Sequence, residues 1–342
     1  MNVPFTMKLT YRRRWTIGAG VVTTVFALLR LRSRNYMPTM PQPPTAADID
    51  WSRFAYTLYA TDSEYLCNSV MILEALHRLS SRADRLIMYR SEMFRLENAG
   101  SSDARLLIKA RDEYDAKLVP VPVLHRRGAD STWADSYTKL HAFNQTQYRR
   151  ILFMDSDSVM LKHMDELFFL PSSPAAMPRA YWLLPGSEIL SSHLMLIEPS
   201  RAEFARVMER VGLATSNEYD MEIVNYLYRK NSIVLPHRPY GMLTGEFRNE
   251  NHTLYLGSDR EPWDAIAAYH EAKFIHFSDW PIPKPWLHIP EKLRLEMQPR
   301  CIMTWDGAED CTSKDVWNLL YSSFRTKRKV TKKPYEPFSS ML

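Results

Sequence analysis

The sequence predicts a single α/β body built on a mostly parallel sheet sandwiched by helices, and three observations carry that prediction. Strand-like and helix-like segments alternate from residue 53 to residue 154. The run RRILFM (149–154) ends in four apolar residues, so both faces of that strand need cover. Two acids, Asp155 and Asp157, follow at its carboxyl end, where sheets of this class bind ligands.

RFAYTLYA (53–60) is the first strand. Thr61 and Glu64 form a capping box opening a helix in which Leu66, Val70, Leu73, Leu76 and Leu79 recur at helical spacing. DRLIMYR (84–90) is the second strand, DARLLIKARDEYDA (103–116) a helix, KLVPVPVL (117–124) the third strand, TWADSYTKLHAFNQTQ (132–147) a further helix, and RRILFM the fourth strand. The second half is less regular. EILSSHLMLIEPS (188–200) reads as a strand with a polar interruption, 200–212 and 218–229 as helices, and SIVLP (232–236) and KFIHF (273–277) as strands extending the sheet in a mixed half.

The net charge of +5 sits at the ends of the chain. Residues 1–34 hold seven cations and no acid, residues 325–342 hold six cations and Glu336, and the body between is left at −7, which argues against a nucleic-acid partner. Between Arg14 and Arg30 the segment WTIGAGVVTTVFALL is uncharged. Its flanking arginines can snorkel and no small-residue cleavage site follows, so it reads as an uncleaved signal anchor rather than a cleaved peptide or a buried helix. Pro38, Pro41, Pro43 and Pro44 then make an extended stem. The chain divides into a basic tail (1–14), a transmembrane helix (15–31), a proline-rich stem (32–50), the α/β body (51–324) and a basic, disordered tail (325–342). Cys301 and Cys311 can pair, whereas Cys67 lies on an apolar helix face as a buried thiol. Asn144 and Asn251 open glycosylation sequons.

On a strand, side chains two apart point the same way, so Asp155 and Asp157 aim at one spot and raise each other's pKa unless a cation neutralises them. A divalent metal is the simplest answer; a solvated loop or helix N-cap is the plainer one. KFIHFSDWPIPKPW (273–286) adds His276 at the end of an apolar strand and Lys284 eight residues on, among Trp280, Trp286 and prolines. His276 alone would be an ordinary core histidine, and Trp280 or Trp286 alone ordinary core. Carboxylate, imidazole and ammonium together suit a metal-bound diphosphate, with a Trp face to stack on a sugar. Oxygen and nitrogen ligands beside phosphates favour Mn2+, with Mg2+ the alternative.

YTKLHAFNQTQYRRILFMDSDSVMLKHMDELF (137–168) resembles the corresponding stretch of the glycogenin-like retaining glycosyltransferases, called family 8: a Thr-Lys-Leu-His helix, an Asp-x-Asp strand end, then an Asp-Glu-Leu-Phe run. LSSHLMLIEPS (190–200), DMEIVN (220–225) and HFSDWPIPKPW (276–286) fall in the family's order, so the resemblance covers 53–290. The Trp-Pro spacing before Lys-Pro-Trp is most similar to the fungal Golgi N-acetylglucosaminyltransferases. The resemblance implies a GT-A fold that binds a UDP-sugar and Mn2+. Carried over by position, it implies Asp155, Asp157 and His276 as metal ligands, with Asp155 also near the ribose, and Lys284 as the diphosphate clamp. It implies Lys139 near the diphosphate, Ala60, Thr61, Asp62 and Tyr65 around the uracil, and Asp220 beside the transferred sugar, making Asp220 and Lys284 the catalytic candidates.

Three departures fall on the sugar side. The family's Asn-Ser/Ala-Gly is here Ser191-Ser192-His193, its Asp-Gln-Gly is Asp220-Met221-Glu222, and the Gly between its His and Lys is missing, with two residues inserted. The implied reaction is retaining transfer of a sugar, N-acetylglucosamine by subfamily analogy, from UDP-GlcNAc to a glycan or mannoprotein acceptor. The implied setting is the Golgi membrane, single-pass type II, with the catalytic domain in the lumen. Two other readings stand beside it. ILFMDSDSV also fits the haloacid-dehalogenase phosphatases, whose first Asp is a nucleophile, although that motif usually opens its domain. The third reading is a membrane-tethered sugar-binding protein without catalysis. The oligomeric state is left open.

Overall fold

The computed structural model describes residues 49–332 apart from 99, 127–133, 184–185 and 305, so the segments predicted as basic tail, transmembrane helix and nearly all of the stem lie outside the described residues, as do 333–342. Among the described residues no helix is long and apolar enough to cross a membrane.

Strands β1 (Phe54–Ala60), β2 (Asp84–Arg90), β3 (Ala116–Val121) and β4 (Arg150–Met154) fall where the sequence predicts them. They pair in the order β3-β2-β1-β4, all parallel, with helices α1 (Ser63–Arg78) and α2 (Ser102–Tyr114) as crossovers. Every residue of β4 is buried, as a strand covered on both faces must be. Strands β5 (Ser158–Met160), β6 (Ala175–Pro178), β7 (Leu194–Ile197), β8 (Ile233–Leu235), β9 (Met242–Leu243) and β10 (Phe274–His276) complete the framework. On the far side of β4 the large sheet turns mixed: β7 is antiparallel to β4 and to β6, and β8 is parallel to β6. The expected mostly parallel sheet is thus parallel through β4 and mixed beyond it. Helices α3 (Arg201–Gly212) and α4 (Asp220–Tyr228) follow β7.

Three sequence expectations are corrected. The N-cap of α1 is Asp62, whose Oδ1 accepts from the backbone N–H of Glu64 and of Tyr65 at 2.9 Å, not Thr61. The predicted helix over 132–147 is a 3-10 helix confined to Ser136–Asn144, buried from Ser136 to Phe143. The predicted disordered tail is, up to residue 331, the end of helix α5 (Thr312–Thr331). Phe324, Arg328 and Thr331 prolong the buried stripe begun by Trp317, Leu320 and Tyr321. Arg328 donates to the Glu64 carbonyl at 2.9 Å, pairs with the Glu64 carboxylate and Asn68, and lies 5.6 Å from the Trp286 ring centroid. Cys301 and Cys311 are joined in a disulfide and Cys67 is a buried free thiol.

The Asp-Glu-Leu-Phe run serves the fold. Asp165 Oδ1 accepts from the Tyr56 and Ser81 hydroxyls, each at 2.7 Å, which ties β1 to the turn after α1.

Candidate functional site

The site is built where the chain crosses between two sheets. Strand β4 belongs to the large sheet and β5 to a small one ordered β5-β10-β9, and Asp155-Ser156-Asp157 is the bend between them. KFIHF (273–277) therefore does not extend the large sheet, as the sequence predicted, but pairs in the small one. Asp155 N–H donates to the His193 carbonyl at 2.9 Å, carrying the β4–β7 ladder one residue past the strand. Phe277 N–H donates to the Asp157 carbonyl at 2.8 Å, which does the same for β5 and β10. The two acids therefore do not converge by strand alternation, as the sequence reading supposed; anchorage to two sheets aims them together.

His276 stands opposite Ser158 in the β10–β5 register, and its Nε2 lies 3.1 Å from Asp157 Oδ1. Asp155, Asp157 and His276 each offer one ligand atom, and these atoms all lie within 4.8 Å of one another. Nδ1 of His276 is buried with no hydrogen-bond partner among the described residues, and the buried Oδ1 of Asp155 accepts no hydrogen bond there although the Lys139 ammonium lies 2.9 Å away as an ion pair. A divalent cation fits such a set: two carboxylates and an imidazole, with buried lone-pair atoms left over.

Two lysines flank the acids. Lys139, delivered by the 3-10 helix and 4% exposed, places Nζ 2.9 Å from both carboxylate oxygens of Asp155, donating to Oδ2, and 2.8 Å from Asp220 Oδ2. Lys284 Nζ donates to Asp157 Oδ2 at 2.7 Å and also to the Phe277 carbonyl. Asp220 is the first residue of α4 and accepts from the Ser192 hydroxyl at 2.6 Å. Its neighbour Glu222 folds back to accept from Tyr219 N–H at 2.8 Å, so that acid serves as a cap. Asn225 clamps the segment before β7: its Oδ1 accepts from Leu190 N–H and its Nδ2 donates to the Leu190 carbonyl.

The charges explain how the acids coexist. Burial works against the Asp157 carboxylate, but His276 and Lys284 hold its pKa well below the usual range. Burial is likewise outweighed at Asp220, where Lys139 and Ser192 keep the pKa low. Burial would strip the proton from Lys139, yet Asp155 and Asp220 hold it firmly charged. Asp155 is the exception: burial pushes it up to about 6, with Asp157 and Asp220 adding to the rise and Lys139 opposing it. Three carboxylates thus face two ammonium groups in a largely buried cluster, a deficit of positive charge that a cation would fill.

The segment implied for the uracil lies against this bend. Ser156 Oγ donates to the Tyr65 carbonyl at 3.4 Å, and the Tyr65 ring meets Trp286 edge-on with centroids 5.4 Å apart. Burial, then the charges of Asp157, Asp62 and Asp155, raise the Tyr65 phenol. Ala60 ends β1 and Thr61 is buried beside it, whereas the Asp62 carboxylate is used as the helix cap. Sequence reasoning missed Ser192 as a partner of Asp220. It also missed the His193 ring, which stacks on His276 with centroids 5.2 Å apart and planes 9° off parallel. The available signal was only that Ser191-Ser192-His193 departs from the family pattern.

No family model matches the chain. Over 286 residues it is 56% identical to glucose N-acetyltransferase 1 of Gibberella zeae, an alignment covering 82% of this chain and 63% of that relative's length. Over 347 residues it is 43% identical to glucose N-acetyltransferase 1 of Aspergillus fumigatus, covering 96% of this chain and 90% of the relative. The backbone also matches that of WbbM, a bifunctional glycosyltransferase, with a TM-score of 0.51 at 14% identity over 84% of this chain and 52% of the other, a likeness of fold alone.

Proposed function

The chain belongs to the glucose N-acetyltransferase 1 family, and from that premise we propose that it transfers N-acetylglucosamine from UDP-N-acetylglucosamine to a glycan acceptor, with retention, at a Mn2+ site made by Asp155, Asp157 and His276. The observation that carries this reading is the convergence of those three ligand groups between Lys139 and Lys284. A nucleoside diphosphate is the ligand whose charge such a group of cations would match.

In the reaction the bond between the anomeric carbon and the UDP oxygen breaks, the acceptor hydroxyl oxygen bonds to that carbon from the same face, and its proton passes to the departing diphosphate, on which negative charge grows. A bound divalent cation supplies Lewis-acid stabilisation of that charge. Lys284 turns from Asp157 toward the diphosphate oxygens and adds a second positive charge where it is most needed, in the transition state. Lys139, fixed by Asp155 and Asp220, contributes a third that cannot move away. Asp220 has a low pKa and is engaged by Lys139 and Ser192. It is therefore a weak nucleophile, and its part is to hold Lys139 and shape the sugar side of the site. The signal anchor, the stem and a Golgi-luminal orientation belong to the same proposal. The disulfide supports them, since such bonds persist in oxidising compartments.

The relatives' name, taken literally, describes acetyl transfer to glucose. Acetyl transfer from a thioester builds one negative charge on a single carbonyl oxygen, whereas a departing diphosphate spreads more charge over several oxygens. Two lysines beside a divalent-cation site match the second better, so the geometry favours the sugar nucleotide. The full chain in detergent with Mn2+ decides between them: UDP should be released from UDP-N-acetylglucosamine and not coenzyme A from acetyl-CoA with glucose. Release of coenzyme A alone, or of phosphate alone from a phosphate monoester, would overturn the proposal.

A further inference from the structure

The loop that carries Lys284 into the site is held at nearly every residue. Lys284 Nζ binds the Phe277 carbonyl and closes it. Asp279 accepts from Arg248 Nε at 2.6 Å and Trp317 Nε1 at 2.8 Å, and Ile282 N–H donates to the Asp279 carbonyl at 2.7 Å. Arg248 reaches on to the Trp280 carbonyl at 3.4 Å. Gly245 is pressed so close that a Cβ there would meet the Ser278 carbonyl oxygen at 3.0 Å. Pro281, Pro283 and Pro285 stiffen what remains.

Within this rigid frame the largest side chain, Trp280, is 89% exposed. An isolated exposed apolar residue is ordinary, but a Trp displayed on a braced loop has lost its backbone freedom without burying its ring. The cost of ordering the platform has been met before any ligand arrives, which is the arrangement that strengthens binding. Trp280 is three residues from Phe277 and four from Lys284, both bonded to Asp157, so its Cα lies within about 11 Å of the Phe277 Cα by chain length alone. The groups read as donor-binding are buried or largely so. A ring exposed to solvent on the same loop that carries Lys284 suits the partner that stays attached to a larger glycan. From this we infer that Trp280 is the platform on which the acceptor's pyranose ring stacks, a reading that rests on the transfer reaction proposed above.

The test uses the full chain with Trp280→Ala and Trp280→Phe. Acceptor KM for methyl α-mannopyranoside should rise roughly three- to tenfold in the Ala variant, the worth of one aromatic contact, and recover largely in the Phe variant. UDP release without acceptor, and donor KM, should not change. An unchanged acceptor KM, or a donor KM that rises in step with it, would overturn the inference. If the parent protein releases no UDP, the transfer reading has failed, and the platform is judged by saturation-transfer NMR of the same mannoside. Signal lost in Trp280→Ala supports it; signal that survives, or is absent in the parent, overturns it.

Discussion

Replacing Lys139 by Met removes the one cation that two buried carboxylates share. Lys139 is 4% exposed, and its Nζ lies 2.9 Å from Asp155 and 2.8 Å from Asp220. Deleting one partner of a buried ionic group leaves uncompensated charge and costs about 3–5 kcal/mol. For a folded body of this size, losing roughly 0.6 kcal/mol of stability lowers the melting midpoint by one degree, so the expected drop is about 5–8 °C at pH 8. The sign of the pH dependence follows from the carboxyls. In the parent protein the low pKa of Asp220 contributes stability above its unfolded pKa that is lost as pH falls through the folded value. In Lys139→Met the folded pKa of Asp220 moves above the unfolded one, so the penalty is full at high pH and is relieved as pH falls. The deficit against the parent should therefore be largest near pH 8 and shrink toward pH 5. Mn2+ should raise the midpoint of the variant more than that of the parent, because a cation between the acids restores part of the missing charge. Scanning calorimetry at pH 5 and pH 8, with and without Mn2+, measures all of this. A midpoint at pH 8 within a degree of the parent's would refute the account of how the acids are held.

Lys284→Ala should lower UDP release by about 10²–10³, since this ammonium acts on developing charge, and should also lower the melting midpoint by a few degrees, since the buried Asp157 carboxylate loses a partner; an unchanged rate would remove Lys284 from the reaction. Arg328→Met should destabilise by about 1–3 kcal/mol, because Asn68, fully buried, loses its donor. A neutral result in urea unfolding would return residues 325–331 to the status of a tail. His141 is 8% exposed with Nε2 3.1 Å from the Pro122 carbonyl, and burial lowers its pKa. The unfolded chain then binds the extra proton, so stability is full above about pH 6.5 and falls below it by up to ~1.4 kcal/mol per pH unit. His141→Phe should flatten the stability slope between pH 6.5 and 5, and an unaltered slope would show that His141 does not titrate on unfolding.

Much of the architecture was legible because local rules and tertiary structure agree. Strands β1, β2 and β4 are apolar runs at regular spacing, and the helices between them carry apolar residues at helical intervals. Asp155 and Asp157 were legible as the end of a buried strand, and His276 and Lys284 as groups whose chemistry complements two acids, whereas Lys139 came only from the resemblance to family 8; the structure does bring these five together. What could not be read depends on partners distant in sequence. The run from Arg325 to Lys329 looks like a solvated basic tail until Glu64 and Asn68, more than 250 residues away, are seen to receive Arg328. The compact 3-10 path of Ser136–Asn144 follows from burial on all sides, which overrides any α-helical spacing. The choice of Asp62 over Thr61 as N-cap is a one-residue matter that pattern alone does not decide. Ser192 was unreadable because its only signal is proximity to Asp220.

Titration calorimetry of UDP into the full chain, with and without Mn2+, tests the central claim most directly. The account expects UDP to bind at least ~tenfold more tightly when Mn2+ is present, and expects Asp157→Asn to lose that dependence. Equal affinity for UDP in both buffers, or an Asp157→Asn variant that responds to Mn2+ as the parent does, would contradict it.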